Sequence, residues 1–399
     1  MASAESADAL TVGGSIFELE KWLHNNIRVQ SLRLPMYGRA AIDGEQLISA
    51  LMDTVVYVLT ETTQITIGRP GERLKRLRKA VLPTKANYVC LFSGGVDSLS
   101  GLVQARRDLE GVEGAFCAHA DQSRIIRVVN ELSRRAFGDK LNVFQKIAVP
   151  AIGKRGYAQL RGFLYCLAAA AWMHLCDANT LIVTECGPTM YQPQFSALDA
   201  VTMTTHPVVL QQAKAAIEIV LRRKISLVTP FENLTKAEVM ASCPRPDLFP
   251  WTHSCISQRF GEHDGTCFGC VVRRLAALAA GVSDVSYLRD PIGDEDANGG
   301  NLMSLLTYSH DLLLRYDHME EFEIQKIERY KKQDLFRRFA LDNFAALHRL
   351  VQERAAMRRS IRALHDQVVA VLGRSVLRAR LEKLEKFSVA VNWDSEPPR

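Results

Sequence analysis

The sequence predicts an α/β protein built on a doubly wound parallel sheet, with a small N-terminal α/β region before it and an all-helical region after it. Three observations predict this. From Asn87 to about Gly281, short apolar runs alternate with helical patterns, as parallel strands joined by crossover helices do. The first run, YVCLF (88–92), ends in Ser-Gly-Gly-Val-Asp-Ser (93–98), a glycine turn that opens a helix. From Leu302 to about Lys386 apolar residues recur at helical spacing, among them Leu347, Leu350, Val351 and Met357.

The elements follow in order. In residues 1–85, Ile16, Leu19, Trp22 and Leu23 mark a short amphipathic helix, and IRVQSLRLP (27–35) alternates as a half-buried strand does. LISALMDTVVYVL (47–59) reads as a helix and TQITIG (63–68) as a strand. The central region, 86–289, continues from YVCLF with a helix over Asp97–Asp108, a strand GAFCAHA (114–120) and a helix RIIRVVNELSRRAF (124–137). A third strand, LNVFQKIAV (141–149), precedes a long apolar helix from Arg161, and TLIVTE (180–185) is the fourth strand. Ligands in such sheets bind at the carboxyl ends of the strands, where Cys90–Ser98, His119–Arg124 and Thr184–Gly187 fall. The acidic, glycine-rich segment 290–301 reads as a linker, and 302–399 as a helical basic region.

Composition narrows the class. The chain has 399 residues, 47% of them hydrophobic, enough for sizeable cores. The most apolar stretch, Phe163–Leu175, is too short to span a bilayer and reads as a buried helix. Met1–Gly14 lacks the basic start and apolar core of a secretory signal. Nine cysteines, an odd number mostly in apolar segments, fit a reducing cytoplasm rather than a disulfide framework. Residues 321–399 hold 17 Lys/Arg against 11 Asp/Glu, which equals the whole net charge of +6. Such a tail can meet nucleic acid or acidic partners; a solvated helical face is the favoured reading.

Two constellations carry chemistry. In the first, Gly94 and Gly95 let the backbone turn and a ligand approach, and the helix entered at Val96 points N–H groups into the turn. Ser93 and Ser98 add hydroxyl donors, so the corner suits a phosphate. Asp97 does not suit a bare phosphate clamp, but it makes sense if Mg²⁺ accompanies the phosphates. In the second, Cys255, Cys267 and Cys270 lie within sixteen residues, the last two as a Cys-Phe-Gly-Cys knuckle able to hold one tetrahedral Zn²⁺. The fourth ligand is open among His253, His263 and Asp264, and a thioredoxin-type redox pair is the competing reading. Between the two, Thr235 and Glu238 form a capping box that places Lys236 first in a helix. Lys236 is either a surface lysine or a group that reaches phosphate charge.

Ser-Gly-Gly-x-Asp-Ser resembles the PP-loop of the N-type ATP pyrophosphatases (the adenine nucleotide alpha hydrolase-like fold), and with the cysteine knuckle (253–274) after FENLTKAEV it resembles the QueC family. That family makes 7-cyano-7-deazaguanine from 7-carboxy-7-deazaguanine with ATP and ammonia. It carries four zinc cysteines; Cys255, Cys267 and Cys270 match the first, third and fourth, and the second falls on Asp264. The segment TECGPTMYQPQFSALDAVTMTTHP (184–207) is more similar to QueC-like proteins of bacterial antiphage systems, the Qat system and type IV CBASS. Glu185 and Gly187 match their E-x-G turn, and Thr204, Thr205, His206 and Pro207 match their Thr-Thr-His-Pro run. The resemblance spans roughly 31–289.

It implies an ATP-dependent ligase that adenylates a carboxylated, deazaguanine-type base. The PP-loop would hold pyrophosphate, Asp97 would orient Mg²⁺, and Lys236 and Arg161 would take the remaining phosphate charge. Glu185, ionised, would accept hydrogen bonds from the base, and His206 would position its carboxylate or move a proton. The antiviral relatives imply transfer of the deazaguanine to the amino terminus of a protein partner from a defence operon. Ammonia as acceptor, a tRNA-modifying ATP pyrophosphatase and a non-catalytic ATP-binding scaffold are the alternatives. Nucleic acid is the less favoured partner, a membrane is not expected, and a homodimer stays open.

Overall fold

The computed structural model describes residues 4–24, 29–36, 44–59, 63–68, 85–115, 123–138, 159–192, 204–255, 262–353 and 355–397. The chain is a mixed α/β protein, mostly helical, with two parallel sheets. Helix α1 (Ala4–His24) leads into a small β-α-β unit of β1 (Ser31–Pro35), α2 (Gly44–Leu59) and β2 (Gln64–Gly68), whose strands pair in parallel. Leu32 and Leu34 are buried and Ser31 and Arg33 exposed, the alternation expected of this strand.

The larger sheet contains β3 (Tyr88–Leu91), β4 (Val112–Ala115), β5 (Thr180–Ile182) and β6 (Ser226–Val228). All pairings are parallel and the order is β4-β3-β5-β6, so the chain leaves β3 first to one side and later to the other. The carboxyl ends of β3 and β5 therefore form a switch point, from which the connections to β4 and β6 run to opposite sides of the sheet. The connecting helices are α3 (Val96–Asp108), α4 (Ser123–Phe137), α5 (Arg161–Cys176), α6 (Gly187–Tyr191) and α7 (Pro207–Leu221). Beyond β6 come α8 (Lys236–Ala241), a 3-10 turn Pro246–Trp251 and α9 (Phe268–Ala280). The expected third strand (141–149), the distal part of the second and most of His119–Arg124 lie outside the described residues.

Alternation along the strands feeds two cores. Val89, Leu181 and Leu227 join one cluster with α1, α2, α5 and α7, while Cys90, Ile182 and Val228 join another with α3, α4, α8 and α9. A strand covered on both faces must be apolar throughout, which is why YVCL and TLI read as continuous apolar runs. The α5 helix, buried along nearly its whole length, lies between the sheet and α1 and α7. The amphipathic pattern at Ile16–Leu23 thus marks the end of a 21-residue helix packed on α5, longer than its sequence pattern indicates.

The C-terminal region comprises α10 (Gly300–Leu314), α11 (Glu321–Arg329), α12 (Gln333–Gln352), α13 (Arg359–Leu372) and α14 (Arg374–Glu385). Phe344, Leu347, Leu377 and Leu384 share a buried cluster with Leu275 and Ala276 of α9. The segment expected as a linker is packed too: Ile292 and Ala297 are buried, and the Arg358 N–H donates to the Ile292 carbonyl at 2.9 Å. Its acidic, glycine-rich composition reflects turns, with Asp290 Oδ1 accepting from the N–H groups of Ile292 and Gly293. No helix among the described residues is long and apolar enough to cross a membrane.

Candidate functional site

The turn after β3 forms the first site. Gly94 has φ +81°, a conformation that costs other residues energy, and a Cβ there would also press on Val128 and Val129. Gly95 has φ −83° and acts as N-cap, so of the two glycines only Gly94 is required by its backbone. No side chain caps α3, so its first-turn N–H groups at Val96–Ser98 stand at the positive end of the helix dipole without a capping side chain. Ser93 Oγ donates to Ser98 Oγ at 3.2 Å, and Ser98 Oγ donates to the Gly95 carbonyl at 3.0 Å.

Asp97, in the first turn of α3, is buried. Its Oδ2 accepts from Lys236 Nζ at 2.6 Å and from the Cys186 N–H at 3.4 Å. Its Oδ1 is buried with no hydrogen-bond partner among the described residues. The Asp97 and Glu185 carboxylates and the Cys186 thiol each place an atom within 4.8 Å of the others. Burial, then the Asp97 charge, pushes Glu185 up to about 8, so Glu185 in this corner holds its proton at neutral pH. That differs from the ionised base reader expected from sequence, because a second carboxylate lies beside it. Burial opposes the Lys236 charge, but Asp97, Cys186 and Glu185 outweigh it and hold the ammonium above its usual range. The surface-lysine alternative for Lys236 is thereby set aside. Burial pushes the Cys186 thiol up to about 12, and the thiol contacts Thr189 Oγ1 at 3.1 Å. Arg161, exposed at the start of α5, acts electrostatically on Glu185 and so faces the same corner.

His206 belongs to different surroundings. It is the N-cap of α7, with Nδ1 accepting from the Val208 N–H at 3.4 Å and lying 3.3 Å from Tyr57 Oη. Tyr57, Tyr191 and Tyr330 enclose its ring at centroid distances of 5.9, 6.2 and 5.4 Å. Burial, then Lys326 and Arg329, lowers it to about 4, so the imidazole is neutral at pH 7. Among the described contacts none joins it to Asp97, Lys236 or Glu185.

The second site is a buried metal-ligand cluster. Cys255, Asp264, Cys267 and Cys270 each place a ligand atom within 4.8 Å of the others, and all four are buried. Cys255 and Cys267 sulfurs are 3.8 Å apart. The neighbouring Cys267 thiol, then burial, raises Cys270, as expected where thiols crowd together. Cys267 is the N-cap of α9 and Cys270 lies in its first turn, so the helix dipole favours thiolates there. In the knuckle Gly269 is helical; a Cβ would come within 2.3 Å of the Ser254 carbonyl, so glycine is needed for close approach rather than for an unusual φ. Three thiolates and a carboxylate suit a tetrahedral ion such as zinc.

Asp264, not His263, completes the set. Asp264 Oδ1 accepts from the N–H groups of Thr266 and Cys267, both at 2.9 Å, which fixes the carboxylate against the thiols. His263 Nε2 instead accepts from the Ser254 N–H at 3.3 Å, and burial, then Arg273, lowers it to about 4. His253 also lies outside the cluster, its ring 5.0 Å from that of His263. Arg273 is almost wholly buried and is a structural tie, donating to Asp284 at 2.7 Å and to the Thr252 and Phe249 carbonyls at 3.1 and 2.6 Å. The His253 N–H donates to the Gly94 carbonyl at 3.0 Å, so the knuckle and the turn are joined through one peptide.

Cys186 and the partners of Glu238 were not singled out in the sequence. Cys186 lies beside Glu185 and could have been found from that adjacency. Glu238 carries a capping-box signal, but its long-range partners Arg338 and Arg380, about a hundred residues and more away, leave no local pattern. The sequence matches no protein-family model and no curated protein.

Proposed function

We propose that this chain is an ATP-dependent adenylating enzyme of the PP-loop, QueC-like type, with the doubly wound fold of that class, acting on a carboxylated deazaguanine-type base. One observation carries the reading: the Ser-Gly-Gly-Val-Asp-Ser turn lies at the switch point of a parallel sheet, and Asp97 in it meets Lys236 at 2.6 Å. Switch points are where such sheets take nucleotides, and a helix N-terminus is a ready anion site.

A carboxylate is a poor electrophile, and amines do not displace its oxygen at neutral pH. In the proposed reaction a carboxylate oxygen of the base attacks the α-phosphorus of ATP. The bond to the β-phosphate oxygen breaks and pyrophosphate leaves. The α3 N-terminus, Ser93 and Ser98 bind the departing pyrophosphate, while Lys236 and Arg161 offset its charge. Asp97 would hold Mg²⁺, which supplies further positive charge there; the unpartnered Asp97 Oδ1 fits that task. An amine then attacks the acyl carbon, an amide forms and AMP leaves. We take that amine to be the amino terminus of a partner protein, with ammonia as the other acceptor. His206, enclosed by tyrosines, has no step in this scheme.

The test is pyrophosphate release, and ATP–pyrophosphate exchange, with ATP, Mg²⁺ and 7-carboxy-7-deazaguanine. Wild-type protein is expected to show both, and Asp97→Asn to lose them by about 10²-fold or more when assayed well below its own melting midpoint, which loss of the buried Lys236 pair lowers. Exchange near wild type in Asp97→Asn removes this residue from the chemistry. Absence of exchange in the zinc-loaded wild type refutes adenylation of this base. Acceptors are separated by mass: a gain on a co-expressed neighbouring protein supports conjugation, and a free primary amide, or the nitrile formed when a second ATP activates the amide oxygen and it leaves with AMP, supports ammonia.

A further inference from the structure

The turn that carries Lys236 does not hold itself. Helix α8 has six residues, and helices this short are not stable without tertiary partners. Its capping box is complete: Thr235 Oγ1 accepts from the Glu238 N–H at 3.2 Å, and Glu238 Oε2 accepts from the Thr235 N–H at 2.9 Å. Both side chains are then engaged a second time by the C-terminal helices. Arg380 of α14 donates to Glu238 Oε1 at 2.8 Å and to Asp342 Oδ1 at 2.6 Å. Asp342 of α12 accepts from the Thr235 hydroxyl with its other oxygen. Arg338 of α12 donates to Glu238 and, at 2.8 Å, to the Asn233 carbonyl. Lys332, at the head of α12, donates to Glu232 and to Asn233 Oδ1, which fixes the preceding turn. Thr235, Glu238, Asp342 and Arg380 are all buried.

This web exceeds what stability alone requires. Buried ion pairs are often replaceable by apolar residues with no loss of stability, so their better-attested use is to fix one arrangement. Here the arrangement fixed is that of the first turn of α8, from which Lys236 reaches Asp97.

We propose that Arg380, Asp342 and Arg338 are positioning residues for the adenylation step: they clamp the Thr235–Glu238 turn and thereby set the Lys236 ammonium over the Asp97 corner. The C-terminal helices are then part of the reaction machinery. The inference rests on the adenylation reading for its kinetic consequence, but not for its geometric one.

The experiment uses zinc-loaded full-length chain with Asp342→Asn, Arg380→Lys and Arg380→Met. Asp342→Asn is close in shape and keeps an acceptor for Thr235, and Arg380→Lys keeps the charge but cannot bridge two carboxylates. Two readouts are taken well below the melting midpoint: kcat and KM for ATP in exchange, and the rate at which an amine reagent labels Lys236 without nucleotide, with exposed Lys224 as control. Expected is a fall in kcat of roughly 10- to 100-fold with KM for ATP little changed, because misplacing a transition-state group by about 1 Å costs on that order. Lys236 labelling should rise while Lys224 labelling stays constant, with Arg380→Lys smaller in both effects than Arg380→Met. If melting falls but kcat and Lys236 labelling hold in all three variants, the web is only structural and the proposal is overturned. If wild-type chain shows no exchange yet Lys236 labelling responds, the clamp stands and the adenylation reading falls.

Discussion

Removing the negative ligand from the metal cluster while leaving its turn intact separates the two candidates for the fourth position. Asp264→Asn keeps an Oδ1 acceptor for the Thr266 and Cys267 N–H groups but gives up the charge. His263→Ala leaves all four cluster residues in place. Among the described residues the three cysteines pack with Tyr287 as their one partly buried apolar neighbour, so the described part of the knuckle has little apolar burial and its order is expected to couple to the metal. Zinc held at about 100 times its dissociation constant stabilises a folded chain by about 2.7 kcal/mol. Unfolding 399 residues at ~2.1 cal/mol/K each releases roughly 0.8 kcal/mol/K, so losing that zinc lowers a cooperative melt by about 3 °C. Loss of an outer-shell partner already weakens metal sites 10- to 100-fold, and loss of a charged ligand weakens them at least as much. Expected results are one zinc per wild-type chain by elemental analysis, retention in His263→Ala, and release from Asp264→Asn by a mild chelator with a drop of that size. Zinc lost from His263→Ala and kept by Asp264→Asn refutes the assignment; a metal-free wild type with an unchanged melt refutes the site.

Two other outcomes follow from the cores and the buried histidines. Ending the chain before Gly300 strips Phe344, Leu347, Leu377 and Leu384 from the core around α9, at about 2–5 kcal/mol for each large side chain. It also leaves Glu238 buried without Arg338 or Arg380, about 3–5 kcal/mol more. Together these come to about 11–25 kcal/mol, comparable to or above the ~5–15 kcal/mol of a typical fold, so the truncated chain is expected to be insoluble; a soluble product with a cooperative melt would falsify this. Acid should also destabilise the protein through His206, lowered to about 4, and through the stacked pair His348 and His365, which burial lowers as well. The unfolded chain takes up these protons near pH 6.5 and the folded chain takes them up only at lower pH, so their contribution is full above pH 6.5 and is lost as pH falls below it, for His206 down to about 4. For His206 alone this is about 3 kcal/mol, and His206→Asn, which keeps an N-cap acceptor, should flatten the acid limb of a denaturation series by about one proton. An identical slope in that variant removes His206 as the source.

What could be read from the sequence was whatever is fixed within one turn of chain. The 93–98 turn, the Thr235–Glu238 capping box and the Cys267–Cys270 knuckle are each local, and each forms as its spacing indicates. Strands β3 and β5 were legible because a sheet covered on both faces needs unbroken apolar runs, whereas β4 starts at Val112, ahead of the expected run, and the three-residue β6 was not singled out. Roles decided by long-range contact were not legible. His263 and Asp264 are adjacent, and it is long-range contact, with Ser254 and Arg273 at His263 Nε2, that engages the histidine while Asp264 joins the thiols. Glu185 reads as an ordinary acid until Asp97 is placed beside it.

The two chemical sites are one mechanical unit, and that bears on how any loss of function is to be interpreted. From the metal cluster, Cys255 leads back through Ser254 to His253, whose N–H holds the Gly94 carbonyl at 3.0 Å. Gly94 is the one residue of the turn in a left-handed conformation, so its peptide plane sets where the α3 N-terminus points. From the other side, the α8 turn holds Lys236 against Asp97, two residues beyond Gly95. A displaced knuckle therefore acts on the N–H groups at the start of α3, whereas a displaced α8 acts on the cation that meets Asp97. Loss of zinc should then weaken binding of a polyphosphate to the turn, while loss of the Arg380 clamp should spare binding and slow the step that develops charge.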